Sequence, residues 1–414
     1  MKITRRQFAL SIAAASSLPS SLFKPTSPLG VPRGIVPGRV TWAHDSAAVT
    51  WDGTGSWWTD SNNNQVVIDR MVSRSIRSLT NQKGDAQAWN AMFHYFNRTH
   101  GRGNGGYKAG EKIAIKANLN NTTDHSTIER LNSSPHVLLS LVRQLTGPGK
   151  VPQSSITVFD SSRFIPGNLY DKIHSEFPSI LFVDHIGGDG RLKAEFKPNA
   201  IPFSITSRNA SGLDTVAVEA TYLIDAALLK GHVSSGVTLC AKNLFGATSI
   251  NPDWRKNAHD GFRHNADGSA GYSAFVDYLG HKDLGEKTIL FLVDGLYGSD
   301  NADGPPKLKW KMAPFNDGWP SSILMSLDGV AIDSVGFDFL TSEWPHLVDI
   351  SNADNYLREA ALANDPPSKT FYDPEGDGIR CRSLGVFEHW NNATEKKYSG
   401  NFGRANGIEL FHVG

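Results

Sequence analysis

Short apolar runs that each close on a charged or amide side chain constrain this chain more than any other feature. KIAIKANL at 112–119, ITVFD at 156–160, ILFVDH at 180–185, YLIDAALL at 222–229 and KTILFLVD at 287–294 have strand length and strand composition. Between the first three lie 134–145, with Pro135 at its start, and 168–176, both of helical spacing. Strand, helix, strand in that rhythm predicts an α/β fold: a mostly parallel sheet flanked by helices, with ligands at its carboxyl edge. We read 111–345 as the α/β core, 31–110 as an irregular N-terminal cap and 346–414 as a C-terminal extension packed on the core. Helices are expected at 65–79 and 85–99, the second with Asp85 as N-cap, and at 272–279, 330–340 and 356–363. Further strands are expected at 39–44, 322–327 and 407–412.

The first thirty residues read as targeting and linker rather than fold. Arg5 and Arg6 precede Gln7-Phe8 and the Ala/Ser-rich apolar run 9–18, the pattern of a twin-arginine export signal. The expected partner is therefore the twin-arginine export machinery, and the expected location periplasmic or extracellular. That run is too short to cross a bilayer, and no later stretch reaches the roughly twenty apolar residues a spanning helix needs. Lys+Arg and Asp+Glu are equal at 41 each, so no global field draws nucleic acid, and none is expected as a partner. Only Cys240 and Cys381 occur, too few for an iron–sulfur cluster; they form one bridge or remain two thiols.

The chemistry concentrates in 222–250, where Lys230, His232, Lys242 and Asn243 fall within fourteen residues among glycines and small side chains. Buried ammonium groups are costly unless paired, so lysines in a core-like segment call for an anionic partner. Lys116 sits inside 112–119 on the side opposite Ile113 and Ile115. With Asn118, Asp160 and Asp294 at strand ends, these residues outline a cleft. There Lys116, Lys230, Lys242 and Asn243 would hold a small anionic or saccharide substrate, and His232 or a lysine of lowered pKa would move a proton. The plainer reading is a buried ion-pair network, with Lys242–Asp333 and Lys230–Asp294 as its pairs. A rival site chemistry is a divalent metal on Asp160, Asp294, His232, Asn118 and histidines of the polar loop 251–269. The cofactor is otherwise unspecified.

Three further patterns admit two readings each. Asp373, Glu375 and Asp377 occupy positions 1, 3 and 5 of a calcium-type loop with Gly378 at 6, but Leu384 stands where glutamate belongs; a self-capping turn is the alternative. Trp51, Trp57 and Trp58 form either a carbohydrate-binding surface or core plugs. Glu388-His389-Trp390-Asn391-Asn392 supplies either a second general base with a stacking platform or a satisfied structural histidine. No Gly-x-Ser-x-Gly elbow, phosphate-binding P-loop or dinucleotide fingerprint follows a strand, which disfavours serine hydrolase, nucleotide and nicotinamide chemistry.

Lys116-Ala117-Asn118, Lys230-Gly231-His232, Lys242 to Gly246, Asp294-Gly295 and Ala331 to Ser334 arrive in an order that resembles the family of domain of unknown function 362, over about 112–340. Leu384 to Asn392 with Tyr398-Ser399 resembles its exported branch. The resemblance brings no general activity. Many members append a four-cysteine ferredoxin-like module, which this chain lacks, so an iron–sulfur role is not implied.

Overall fold

A computed structural model describes residues 27–122, 124–126, 129–249 and 259–414. These residues build a ten-stranded sheet with helices on both faces. In chain order the strands are β1 (Arg39–His44), β2 (Ile113–Ala117), β3 (Ile156–Asp160), β4 (Leu181–Asp184), β5 (Leu192–Lys193), β6 (Tyr222–His232), β7 (Gly236–Thr238), β8 (Thr288–Ser299), β9 (Ser322–Ser326) and β10 (Glu409–Val413). Across the sheet they run β10-β1-β9-β8-β6-β2-β3-β4-β5, with β7 folded back on the end of β6. From β8 to β5 every neighbouring pair is parallel. β9 is antiparallel to both β8 and β1, and β10 is parallel to β1. The α/β architecture expected from the apolar runs is the one observed.

Alternation along the strands divides two cores. Ile113, Ile115, Ile224 and Leu292 pack under α1 (Gln65–Thr80), α2 (Asp85–Thr99), α3 (Pro135–Thr146) and α4 (Gly167–His174). Ala114, Leu223, Ala227 and Val293 face α5 (Cys240–Leu244), α6 (Ala274–Gly280), α7 (Gly329–Glu343) and α8 (Ile350–Ala361). Strands buried on both faces read as near-continuous apolar runs, which is why they were legible. The segments flanking the core are less separate than the sequence implies: β1 and β10, from the N-terminal and C-terminal regions, lie side by side and complete the sheet.

Boundaries differ where polar groups decide them. The strand expected at 222–229 continues through Lys230 to His232, because β7 supplies the hydrogen bonds that let it extend past its apolar stretch. Gly84, not Asp85, is the N-cap of α2; the Asp85 carboxylate instead accepts from Ser73 Oγ (2.8 Å) and Gln144 Nε2 (2.9 Å). The helix expected at 356–363 begins at Ile350. Among the described residues no helix is long and apolar enough to cross a membrane.

Topology positions the site. From β2 the chain moves outward through β3, β4 and β5, then returns to lay β6 on the other side of β2. A reversal of that kind leaves a crevice beyond the carboxyl ends of the strands.

Candidate functional site

A cavity of about 280 Å³ occupies that crevice, beyond the ends of β2, β3 and β6. Lys116, Lys230, Lys242, His232, Asn243 and Asp160 all line it, so residues up to 127 positions apart in sequence meet in one hollow. Asp294 does not: its carboxylate accepts from the Ser134 amide (2.8 Å) at the start of α3 and from the Leu296 amide (3.1 Å). Burial raises its pKa to about 6 against those two amides.

The three lysines have different surroundings. Lys116, wholly buried, pairs with Asp160 (3.1 Å) and donates to the Ala117 carbonyl (2.6 Å) and Asn243 Oδ1 (3.3 Å). Gly246 permits this approach, since a Cβ there would lie 2.7 Å from the Lys116 Nζ. Lys230, at the end of β6, donates to Asn120 Oδ1 (3.1 Å) and the Ala302 carbonyl (2.9 Å). Lys242, on α5, has no hydrogen-bond or ion-pair partner among the described residues; its ammonium lies 4.6 Å from the Phe245 ring centre and 5.3 Å from that of Phe262. Desolvation lowers the pKa of both Lys230 and Lys242 to about 7, and the Arg163 charge pushes each the same way. Neither expected pair forms. Asp333 accepts instead from the Cys240 (2.8 Å) and Ala241 (2.9 Å) amides at the start of α5.

Asn243 is the hub. Its carboxamide donates to Asp225 Oδ1 (2.6 Å) and the Lys116 carbonyl (3.1 Å), and accepts from Asn118 Nδ2 (2.9 Å). Asp225 lies opposite Lys116 across β6 and β2, and burial raises its carboxyl well above the carboxylate range. His232 Nδ1 accepts from the Ser234 (3.0 Å) and Ser235 (3.3 Å) amides in the turn between β6 and β7. In the neutral ring this places the proton on Nε2.

Sequence reasoning missed Arg163, Thr238 and Asp303, which also line the cavity. Thr238 was hidden because its position depends on β7 folding back, which puts it directly opposite Lys230. Arg163 lies three residues past the end of β3, and its place after a strand ending in Asp160 was the available signal.

The metal reading finds no donor set: among the described residues no group of three or more His, Cys, Asp or Glu is arranged to hold an ion. Asp160 is spent on Lys116, the Leu119 amide (3.2 Å) and the Ser162 amide (3.0 Å). Of the polar loop, Arg255 lies outside the described residues, as does the N-terminal export motif. The acidic run at 373–378 is a self-capping turn: Asp373 accepts from the Asp377 and Gly378 amides (3.1 and 2.8 Å), and Glu375 is turned away to the Lys282 amide (2.7 Å). Cys240 and Cys381 are both free thiols.

Trp51 and Trp57 are core plugs: both are buried, Trp51 stacked on Trp319 at 5.1 Å and Trp57 edge-on to Tyr297. Trp58 is half-buried, with its indole N–H 3.3 Å from Glu129. His389 lies in the core, not over the sheet edge. Asp338 on α7 receives His389 Nδ1 (2.7 Å), the Trp390 amide (2.9 Å) and the Tyr398 hydroxyl (2.9 Å), and Asp354 lies 3.3 Å from His389 Nε2.

A groove of about 410 Å³ lies at the other end of β8, near Thr288 and Ile289. Its Arg33 and Arg382 are both paired with Glu286 (2.7 and 2.9 Å). It holds none of the chemistry gathered at the carboxyl edge.

A family model described as Domain of unknown function (DUF362) matches residues 113–338, a span that contains every lysine of the cleft. No curated protein and no solved structure matches the chain.

Proposed function

Since this chain belongs to the family of domain of unknown function 362, we propose that it is an enzyme acting on a small anionic substrate by lysine acid–base chemistry in the carboxyl-edge cleft. The observation that carries this reading is the convergence of Lys116, Lys230 and Lys242 on one cavity, with Lys242 unpaired among the described residues. A pKa of about 7 gives Lys242 comparable populations of amine and ammonium at neutral pH. As the amine it takes a proton from the substrate and becomes the ammonium. Lys116 and Lys230 face the substrate's negative charge, His232 donates from Nε2, and Asn243 positions Lys116. Non-catalytic anion binding is the second reading, and it differs in giving affinity without turnover.

The test replaces Lys242 by methionine in the full chain and screens wild type and variant against small phosphorylated and carboxylated compounds. Wild-type turnover is expected to fall at least about 100-fold in the variant, the usual weight of a positioned proton-transfer group. The variant should remain folded and gain about 1–2 kcal/mol at pH 6, because a desolvated cation has been exchanged for an apolar side chain. Turnover that survives Lys242→Met, or a variant that unfolds, would return the cleft to a structural role.

The Thr4 to Phe8 pattern supports export by the twin-arginine route as part of the same proposal. Replacing Arg5 and Arg6 together by lysine is expected to retain the protein inside the cytoplasm, read by fractionation of the producing cells. Unchanged export of the double variant would remove that part.

A further inference from the structure

Two groups of the cleft that can donate a hydrogen bond are buried with that bond unmade among the described residues. Thr238 is 4 % exposed, and its hydroxyl is buried with no hydrogen-bond partner among the described residues. The Arg163 Nε–H is likewise buried and unpartnered among the described residues, although the other arm of that guanidinium reaches the Ser162 carbonyl (2.8 Å). An unmade hydrogen bond on a buried polar group is costly and uncommon, so two around one cavity mark where a ligand belongs. Pairing of β7 on β6 sets Thr238 opposite Lys230, so the hydroxyl and the ammonium stand on the same side of that ribbon. Two of the buried acceptors, by contrast, are already engaged: Asp160 by amides and Lys116, and Asn243 Oδ1 by Asn118 and Lys116.

Charge points the same way. Lys116, Lys230, Lys242 and Arg163 line the cavity against only Asp160 and Asp303, the latter exposed at its rim. Lys116 and Arg163 balance the two carboxylates, and Lys230 and Lys242, which a bound anion holds protonated, add the two positive charges that match a dianion. Donors arriving from the end of β3, the β6–β7 ribbon and α5 surround an acceptor on several sides, which suits a tetrahedral group better than a planar carboxylate. At about 280 Å³ the cavity also exceeds one oxyanion, leaving space for a small organic portion.

From this geometry we propose that the cleft binds a phosphate monoester, with Thr238 and Arg163 as phosphate-binding residues beside Lys230 and Lys242. The inference rests on the anionic-substrate reading above and narrows it to one chemical class. Nothing else in the sequence marks this site, since the chain has no glycine-rich phosphate loop.

Calorimetric titration of the full chain at fixed ionic strength and pH 7.5 separates charge from shape with four probes. Methyl phosphate is a tetrahedral dianion, methyl sulfate a tetrahedral monoanion, malonate a dianion whose charges sit on two planar carboxylates, and inorganic phosphate the free ion. Methyl phosphate is expected to bind about tenfold or more tightly than either comparator. Thr238→Val should weaken methyl phosphate binding about tenfold, as expected for loss of one hydrogen bond to a charged group. Thr238→Ser, which keeps the hydroxyl, should stay within about twofold of wild type and guards against a mere packing effect. Arg163→Met should weaken binding by about tenfold or more. If malonate binds as well as methyl phosphate and Thr238→Val leaves both unchanged, the phosphate assignment is overturned while the anionic cleft stands. If no probe binds and Lys242→Met alters nothing, both readings fall together. Tighter binding of inorganic phosphate than of methyl phosphate would overturn the monoester and leave a free-ion site.

Discussion

Asn243→Leu is expected to lower the unfolding free energy by about 3–5 kcal/mol, seen as a fall in denaturation midpoint with an unchanged slope. Leucine fills a similar volume, so cavity formation contributes little. What is lost is the carboxamide that satisfies Asp225 Oδ1, the Lys116 carbonyl and Asn118 Nδ2 at once. Asp225 has no alternative among the described residues, where its second oxygen is already buried without a partner. Removing one member of a buried polar network strands the others, and each carries a desolvation cost of about 1–3 kcal/mol. Asn243→Asp serves as the companion variant: it keeps the shape but sets a second carboxyl against Asp225 and removes both donated bonds, so comparable destabilisation is expected. A loss below about 1 kcal/mol in both variants would mean that the network is relaxed by water and that Asn243 is dispensable to the fold.

The second large effect belongs to Asp338 and is a function of pH. Burial works against the charged form of His389, but the Asp338 and Asp354 carboxylates outweigh it and raise its pKa to about 9. The folded value lies above the unfolded value of about 6.5. The imidazolium therefore contributes its full stabilisation below about pH 6.5, and that contribution disappears as pH rises through about 9. The shift corresponds to roughly 3 kcal/mol. Asp338→Ala should accordingly destabilise by about 3–5 kcal/mol at pH 6 and by only about 1–2 kcal/mol at pH 9.5. The difference between wild type and variant is the quantity to follow. Lys230 and Lys242, with folded pKa values near 7, act with the opposite sign above that pH and cancel in the subtraction. A difference that does not change with pH would show that His389 is neutral in the native state.

These two networks mark the range of what was legible. The apolar runs ending in Asp160, Asp184 and Lys116 announced buried parallel strands and their carboxyl edge, because burial on both faces leaves a compositional trace in every strand. The lysines of 222–250 announced the cleft, since ammonium groups among Leu, Ala and Gly need an explanation wherever they fold. Both signals are local. His389 looked equally suited to catalysis or to the core, and its pairing with Asp338, 51 residues away, decided the matter. Trp51 and Trp57 were ambiguous for the same reason, until their packing on Trp319 and Tyr297 placed them inside.

By itself, the amino-acid sequence determined the fold class, the strand order along the chain and the edge at which charge collects, because those depend on periodicity and on the cost of burying an ammonium group. Only the tertiary structure decided which charges face each other. Asp294 turned to the amides of α3, Asp333 to those of α5, and Thr238 came opposite Lys230 through a hairpin that no local pattern marks. The physical reason is that a carboxylate is satisfied as well by two backbone amides as by a lysine. The choice between them is made by strand order and register, and these are settled by contacts distant in sequence.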